Sequence, residues 1–257
     1  VRVRYKDKLV RRYLMTYTIS PTSARSLLER ITELGSDNRT ANPPVTFTYA
    51  ASGLPGIPDV LQTIGNGIGG TSTFQYRPST AYSPRLPFDV PVVSSVSIRD
   101  WSTSHTAPHT YFDGVVDADD KEFRGFARIL EVDEEGRQTE TAFLQDDIYK
   151  GRIAAQRVSD KNGNPLLEIQ NAWTSSSPAP GASLVSLKET IRTDHDGNAT
   201  FKQQRTTFEH DQYGNPTRIT ESGDVAVIGD ERDTILEYAY NAGRTADDLW
   251  LVSYPVH

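Results

Sequence analysis

Apolar and polar residues alternate along much of the chain, the period expected of half-buried strands. Tyr13-Leu14-Met15-Thr16-Tyr17-Thr18-Ile19 follows a first short run, Arg2–Tyr5, and together they predict a hairpin ended by Pro21. Val45–Tyr49 and Val92–Arg99 read the same way, as do Phe123–Val132 and Thr139–Leu144 around the turn Glu134-Glu135-Gly136-Arg137. From Ile153 onward the pattern repeats. Ile153–Val158 and Leu166–Trp173 flank Asp160–Asn164, and Leu184–Thr193 and Thr200–Gln204 flank Asp194–Asn198. Thr206–His210 and Thr217–Glu221 flank Asp211-Gln212-Tyr213-Gly214-Asn215. Each of these turns sets an Asp or Asn beside a Gly, as tight hairpins require.

Three segments depart from the alternation. Ser23–Leu34 places Leu27, Leu28, Ile31 and Leu34 at helical spacing before Gly35, which predicts one short helix. A strand over Ser26–Ile31 is the competing expectation. Ala50–Asp59 reads as a Gly/Pro loop, and 174–183 (TSSSPAPGAS) as either a linker that subdivides the chain or a long hairpin loop. The fold expected is all-β: a meander of many antiparallel hairpins with at most one short helix.

Composition sharpens this picture. Only 36% of the 257 residues are hydrophobic, lean for a compact globule of this length but sufficient for a sheet that buries alternate residues. The net charge of -7 argues against a nucleic-acid footprint and against an anionic membrane surface. With no cysteine, disulfides and thiolate metal sites are excluded. No apolar run approaches the roughly 20 residues of a membrane-spanning helix. The start at Val1, without an initiator Met or a signal-like segment, leads us to expect part of a longer protein.

Several motifs invite chemistry. Gly65, Gly67 and Gly70 in "GNGIGGTSTFQY" have dinucleotide-loop spacing, but that fingerprint must open a helix. Thr71–Arg77 reads as a strand, so the expectation is a ligand-free turn. Asp160–Glu168 and Asp194–Phe201 resemble acidic calcium loops, yet glycine falls fourth, where an EF-type loop needs it sixth. His105 and His109 are four apart with Pro108 between them, which forbids a helical zinc pair and leaves loop histidines. Asp117, Asp119, Asp120 and Glu122 could supply paired carboxylates for glycoside hydrolysis, and a solvated acidic turn is the simpler expectation. Trp101, Trp173 and Trp250 could stack on sugars, although aromatics on strands more often pair across the sheet. No catalytic site, cofactor site or metal site assembles from these residues.

At "KEFRGFARI" a family resemblance emerges. Glu122, Phe123, Arg124, Gly125 and Phe126 resemble the E-F-R-G-F-G signature of the B components of bacterial Tc insecticidal toxin complexes, within the RHS/YD-repeat superfamily; Ala127 stands where that signature has Gly. "NPPVTFTY", "RLPFDVPVVSSVSIRD" and the glycine hairpin are similar to neighbouring family elements in the same order. The turn Tyr213-Gly214-Asn215 is close to the YD-repeat pattern. The resemblance implies a segment of a curved β-shell that encloses a toxic effector polypeptide, without enzymatic activity or cofactor. It further implies secretion as part of a toxin complex. The implied partners are the rest of the shell or its C-component, the enclosed effector and, through other parts of the parent, a pore-forming A component. Neither nucleic acid nor a membrane would contact this segment. A carbohydrate-binding or adhesive module of a cell-surface YD-repeat protein is the alternative. In a shell segment, Phe123 and Phe126 are expected to anchor the sheet, Gly125 to allow a bend, and Arg124 to pair with carbonyls or a carboxylate. The terminal strands, expected at Val1–Tyr5 and Ile235–Tyr240, would present edges ready to pair with other strands.

Overall fold

The alternating runs do form strands, and they pair antiparallel with their neighbours in sequence. A computed structural model describes residues 1–54, 57–83, 86–195, 201–239 and 252–256. The chain divides into two compact units, Val1–Gly114 with Glu131–Glu135, and Val115–Leu130 with Gly136–His257.

In the first unit, β1 (Arg2–Tyr5), β2 (Lys8–Ile19), β3 (Ser26–Leu34), β4 (Val45–Leu54), β5 (Ile57–Gly65), β6 (Thr71–Pro78), β7 (Pro91–Asp100) and all but the last three residues of β8 (Thr103–Asp117) follow one another in that order. In the second, β9 (Glu122–Val132) up to Leu130, β10 (Gln138–Phe143), β11 (Ile153–Ser159), β12 (Pro165–Ala179), β13 (Ala182–His195), β14 (Phe201–His210), β15 (Pro216–Ser222) and β16 (Arg232–Ile235) do the same. A small ribbon of β17 (Tyr238–Ala239) and β18 (Tyr254–Pro255) completes the described elements.

The sequence anticipates most of this; over Ser23–Leu34 the helix expectation fails and the competing strand over Ser26–Ile31 holds. The predicted helix is strand β3, paired with β2 through Leu28 opposite Tyr17 and Ile31 opposite Met15. The turn before it explains why. Ser20 and Ser23 donate their hydroxyls to Asp59 on β5 at 2.7 and 2.6 Å, and Ser20 Oγ also accepts the N–H groups of Thr22 and Ser23. With the turn fixed and β2 needing a neighbour, cross-strand pairing overrides helical spacing. The only helical element among the described residues is a single 3-10 turn, Ser79–Ala81.

The expected Gly/Pro loop 50–59 is almost wholly strand, since β4 and β5 extend to Leu54 and Ile57. β8 was hidden in the Ser/Thr/His-rich stretch, and His105 and His109 are strand residues, not loop residues. Residues 174–179 and 182–183 extend the β12–β13 hairpin, paired through Ser176 opposite Leu184 and Ala179 opposite Ala182. The last strand of the meander is Arg232–Ile235; of the expected Ile235–Tyr240 strand, Ile235 ends β16 and Tyr238–Ala239 form β17, and Tyr240 lies outside the described residues. Trp250 and the turn residues 196–198 also lie outside them.

Burial matches single-layer sheets. Among the described residues, the only buried apolar side chains are Leu34, Leu86 and Phe126. The chain exposes 17128 Å², where a compact monomer of this mass would expose about 11,000 Å². Among the described residues, neither unit wraps a conventional core.

Candidate functional site

The residues of the family-like motif lie at the start of β9, and a single backbone feature organises them. Gly125 has φ +80, a left-handed conformation that L-residues rarely adopt. Phe123 and Phe126, three apart, would point to opposite faces of a regular strand. The left-handed residue shifts the alternation, as in a bulge. Their rings meet edge to face, with centroids 5.7 Å apart. Gln145 fastens the distortion by donating Nε2 to the Gly125 carbonyl at 2.9 Å, while its own carbonyl accepts from Arg124 Nη1 at 3.4 Å.

Arg124 is the centre of a charge cluster. Its Nη2 lies 2.9 Å from Asp117, 3.1 Å from Asp120 and 3.2 Å from Asp147, with the side chain only 11% exposed. Lys150 pairs with Glu122 and lies 3.4 Å from Asp147. Two acidic turns supply the carboxylates. Asp117 accepts the N–H groups of Asp119 and Asp120, each at 2.9 Å, and Asp146 accepts those of Ile148 and Tyr149. The Asp120 N–H is the main cause that holds the Asp117 carboxyl below its usual range, helped by the Asp119 N–H, Arg124 and Lys150 and opposed by partial burial. Hydrogen bonding to Glu122 raises the Lys150 ammonium.

Carboxylate oxygens of Asp120, Glu122 and Asp147 lie within 4.8 Å of one another, close enough to hold a cation. Arg124 and Lys150 already neutralise much of that charge. The acidic turn expected at Asp117–Glu122 is therefore present, but it is tied into the sheet through Arg124 and not simply solvated. The sequence places Arg124 and predicts a carboxylate partner. It gives no signal for Asp147, which sits 23 residues away and meets Arg124 only through strand pairing.

The YD-type turn is a second built feature. Asp211 Oδ1 accepts the N–H groups of Tyr213 and Asn215 at 2.8 and 2.9 Å, and Asn215 Nδ2 donates back to Asp211 Oδ2 at 2.8 Å. Asn215 is buried; its Nδ2 also donates to the Val252 carbonyl at 2.6 Å, and its Oδ1 accepts from Ser253 Oγ at 2.6 Å. Gly214, at φ +87, sits beneath Leu184. The Asp160–Asn164 turn repeats the local bonds: Asp160 accepts Asn162 N–H and Asn164 N–H at 2.8 Å each, and Asn164 Nδ2 at 2.9 Å. Both Asp160 oxygens are engaged in closing the turn, the arrangement expected of a turn and not of a calcium loop.

The remaining candidates resolve individually. The glycine loop joins β5 to β6 with no helix after it; Asn66 Oδ1 closes it by accepting Ile68 and Gly70 N–H at 3.0 and 2.8 Å. Gly69 has φ +103, a backbone conformation that favours glycine, and a side chain there would meet the exposed Trp101 ring at 2.9 Å. His105 and His109 each face a different glutamate, Glu134 and Glu131, both at 3.1 Å, and do not converge on one point. Trp173 donates Nε1 to the Ile153 carbonyl at 3.0 Å and carries Arg152 over its ring at 5.2 Å.

Comparison with known proteins agrees with this architecture. Residues 37–156, a span that includes Glu122–Phe126, match the family described as the insecticide toxin TcdB middle/N-terminal region. No curated protein matches the sequence. Among solved structures, TcdB2-TccC3 without its hypervariable C-terminal region is similar at 11% identity and a TM-score of 0.59 over 94% of this chain. A Photorhabdus luminescens Tc holotoxin pore is similar at 12% identity and a TM-score of 0.59, again over 94%. A complex of TcdB2-TccC3 with Cdc42 gives 12% and 0.57. At such identities the likeness shows the fold. The chain spans 18 to 19% of the length of those proteins.

Proposed function

We propose that this chain, which resembles the B component of Tc toxins in its 37–156 match and in its fold, is a structural segment of a shell that encloses a polypeptide. The carrying observation is the near absence of a core in sheets that nonetheless order their strands in sequence. A single-layer sheet of this kind is stable where neighbouring strands continue it and where one face meets an enclosed space. Residues 1–257 form one such segment of a longer wall. The role is non-enzymatic: the acidic side chains around Glu122 are consumed in ion pairs that fasten β9 to the turns at 117–121 and 146–149. The parent is secreted within a toxin complex. Its partners are a C-component that completes the shell, the effector inside and an A component reached through other regions of the parent.

The test uses the full-length parent together with its C-terminal partner. Under mild protease treatment the enclosed effector survives while the intact shell persists, and is digested once the shell is opened by denaturant. Digestion of the effector at the same rate with and without the shell contradicts the proposal.

One observation favours the alternative of a carbohydrate-binding module: Trp101 is 80% exposed beside Asn66, Arg99 and Asp100. A glycan array separates the two readings. A shell segment binds no glycan selectively, and a selective hit lost on Trp101→Ala would replace the shell reading for this face.

A further inference from the structure

A cleft of about 370 Å³ lies over β6, β7 and β8, wholly within the first unit. Gln75, Ser95 and Pro108 stand opposite one another on the three strands and so share one face of the sheet. Arg77 follows Gln75 on that face by strand alternation. β7 carries an extra residue at this point: Gln75 is opposite Ser95 and Tyr76 opposite Val93, which leaves Ser94 as a bulge. Ser94 and Ser95 therefore both line the cleft.

Two polar groups here are unspent. Ser95 is only 8% exposed, yet its hydroxyl has no hydrogen-bond partner among the described residues. Arg77 is exposed, has no carboxylate partner among them, and is the one Arg or Lys in the lining. The other charges nearby are engaged. His109 Nε2 lies 3.1 Å from Glu131, and its Nδ1 lies 3.0 Å from the Ala107 carbonyl. Tyr82 donates its hydroxyl to the His109 carbonyl at 3.3 Å and so braces that wall.

We propose that this cleft binds an oxyanion, a carboxylate or a phosphate, with Arg77 as its charge partner and the Ser95 hydroxyl as a buried donor. A planar guanidinium offers paired N–H groups to two oxygens of such a group, and hydrogen bonds to a charged acceptor are the stronger kind. A buried hydroxyl without a protein partner is costly, and an anionic oxygen satisfies it. The Gln75 amide and the Ser94 hydroxyl supply further donors along the same wall. The site stands apart from the shell reading: an anion binds there whether or not the sheet encloses a polypeptide, so either can fail alone.

Arginine modification of the full-length parent tests it. Phenylglyoxal labels accessible guanidinium groups, and peptide mass spectrometry follows Arg77 separately from Arg99, an exposed arginine on β7 that also lacks a carboxylate partner among the described residues. Inorganic phosphate and acetate are the two probes. At least one of them slows the labelling of Arg77 several-fold and saturably, while Arg99 reacts at its original rate; the probe that protects better assigns a tetrahedral or a planar oxyanion. Ser95→Ala keeps the unprotected labelling rate of Arg77, which shows that the cleft is intact, and shifts protection to several-fold higher probe concentration. The proposal is overturned if neither probe protects Arg77, or if Arg99 is protected to the same degree. It is equally overturned if Arg77 does not react at all in the parent, or if Ser95→Ala leaves the protection curve where it was.

Discussion

The turns Asp160–Asn164 and Asp211–Asn215 have the same Asp-x-x-Gly-Asn pattern and the same local hydrogen bonds, yet they sit in different surroundings. In the first, Asn164 is exposed and bonds within its own turn. In the second, Asn215 is buried and also grips Val252 and Ser253, while Leu184 closes over Gly214. Local sequence therefore makes the turn, and packing decides whether the turn also becomes a fastening point. Two arginines show the same division. Arg124 is nearly enclosed among Asp117, Asp120 and Asp147, whereas Arg192 makes a two-pronged pair with Asp194, at 2.8 and 2.7 Å, that is open to solvent.

The arginines should show the largest difference. Arg124→Ala strands carboxylates beside a distorted strand and should cost about 2–4 kcal/mol, since removing one partner of an enclosed charge network is expensive. Arg192→Ala should cost no more than about 1 kcal/mol, as for other exposed pairs. Chemical unfolding of both variants measures this, and equal losses would erase the contrast.

The asparagines come next. Asn215→Ala leaves the Val252 carbonyl and the Asp211 carboxylate short of donors and should cost about 1–3 kcal/mol. Asn164→Ala loses one exposed turn bond, about 0.5–1 kcal/mol. If the two variants unfold together, the fastening role of Asn215 is wrong. A smaller gap separates the glycines. Gly163 and Gly214 have φ +86 and +87, so alanine is strained at either position by about 1 kcal/mol. Only at Gly214 does the added methyl also meet Leu184, at 3.3 Å, and Gly214→Ala should be the less stable of the two by thermal melting.

The smallest expected effect is on acid response. Asp160 is held below its ordinary carboxyl value, chiefly by the Asn164 side chain. Its folded value is depressed, so the stabilisation is present above the unfolded carboxyl value of about 3.9 and disappears as pH falls below it. Asn164→Ala removes the main cause and should flatten the loss of stability in that acid window. An unchanged acid profile in the variant would assign the effect elsewhere.

These contrasts also show what can be read from sequence. The Asp-x-x-Gly-Asn turns, the alternation of β2, β7 and β9, and the place of Glu122–Phe126 are local, and were legible. β3 was not, because Leu27, Leu28, Ile31 and Leu34 satisfy a helical spacing as well as a strand, and only Asp59 and β2 decide between them. β8 was obscured by Ser, Thr and His, residues whose strand role depends on Glu131 and Glu134 across the sheet. The contacts of Arg124 with Asp147 and of Asn215 with Val252 join positions far apart in the chain. Their partners follow from pairing order, which no local pattern contains.

The central claim is that these strands are a slice of a continuous wall. Electron cryo-microscopy of the full-length parent with its partner tests it most directly. The account predicts that β1 and β16 each pair with a further strand from outside residues 1–257, and that one face of the sheets lines a closed cavity containing density for a polypeptide. Capped edges at both strands and solvent on both faces, with no enclosed cavity, would contradict it.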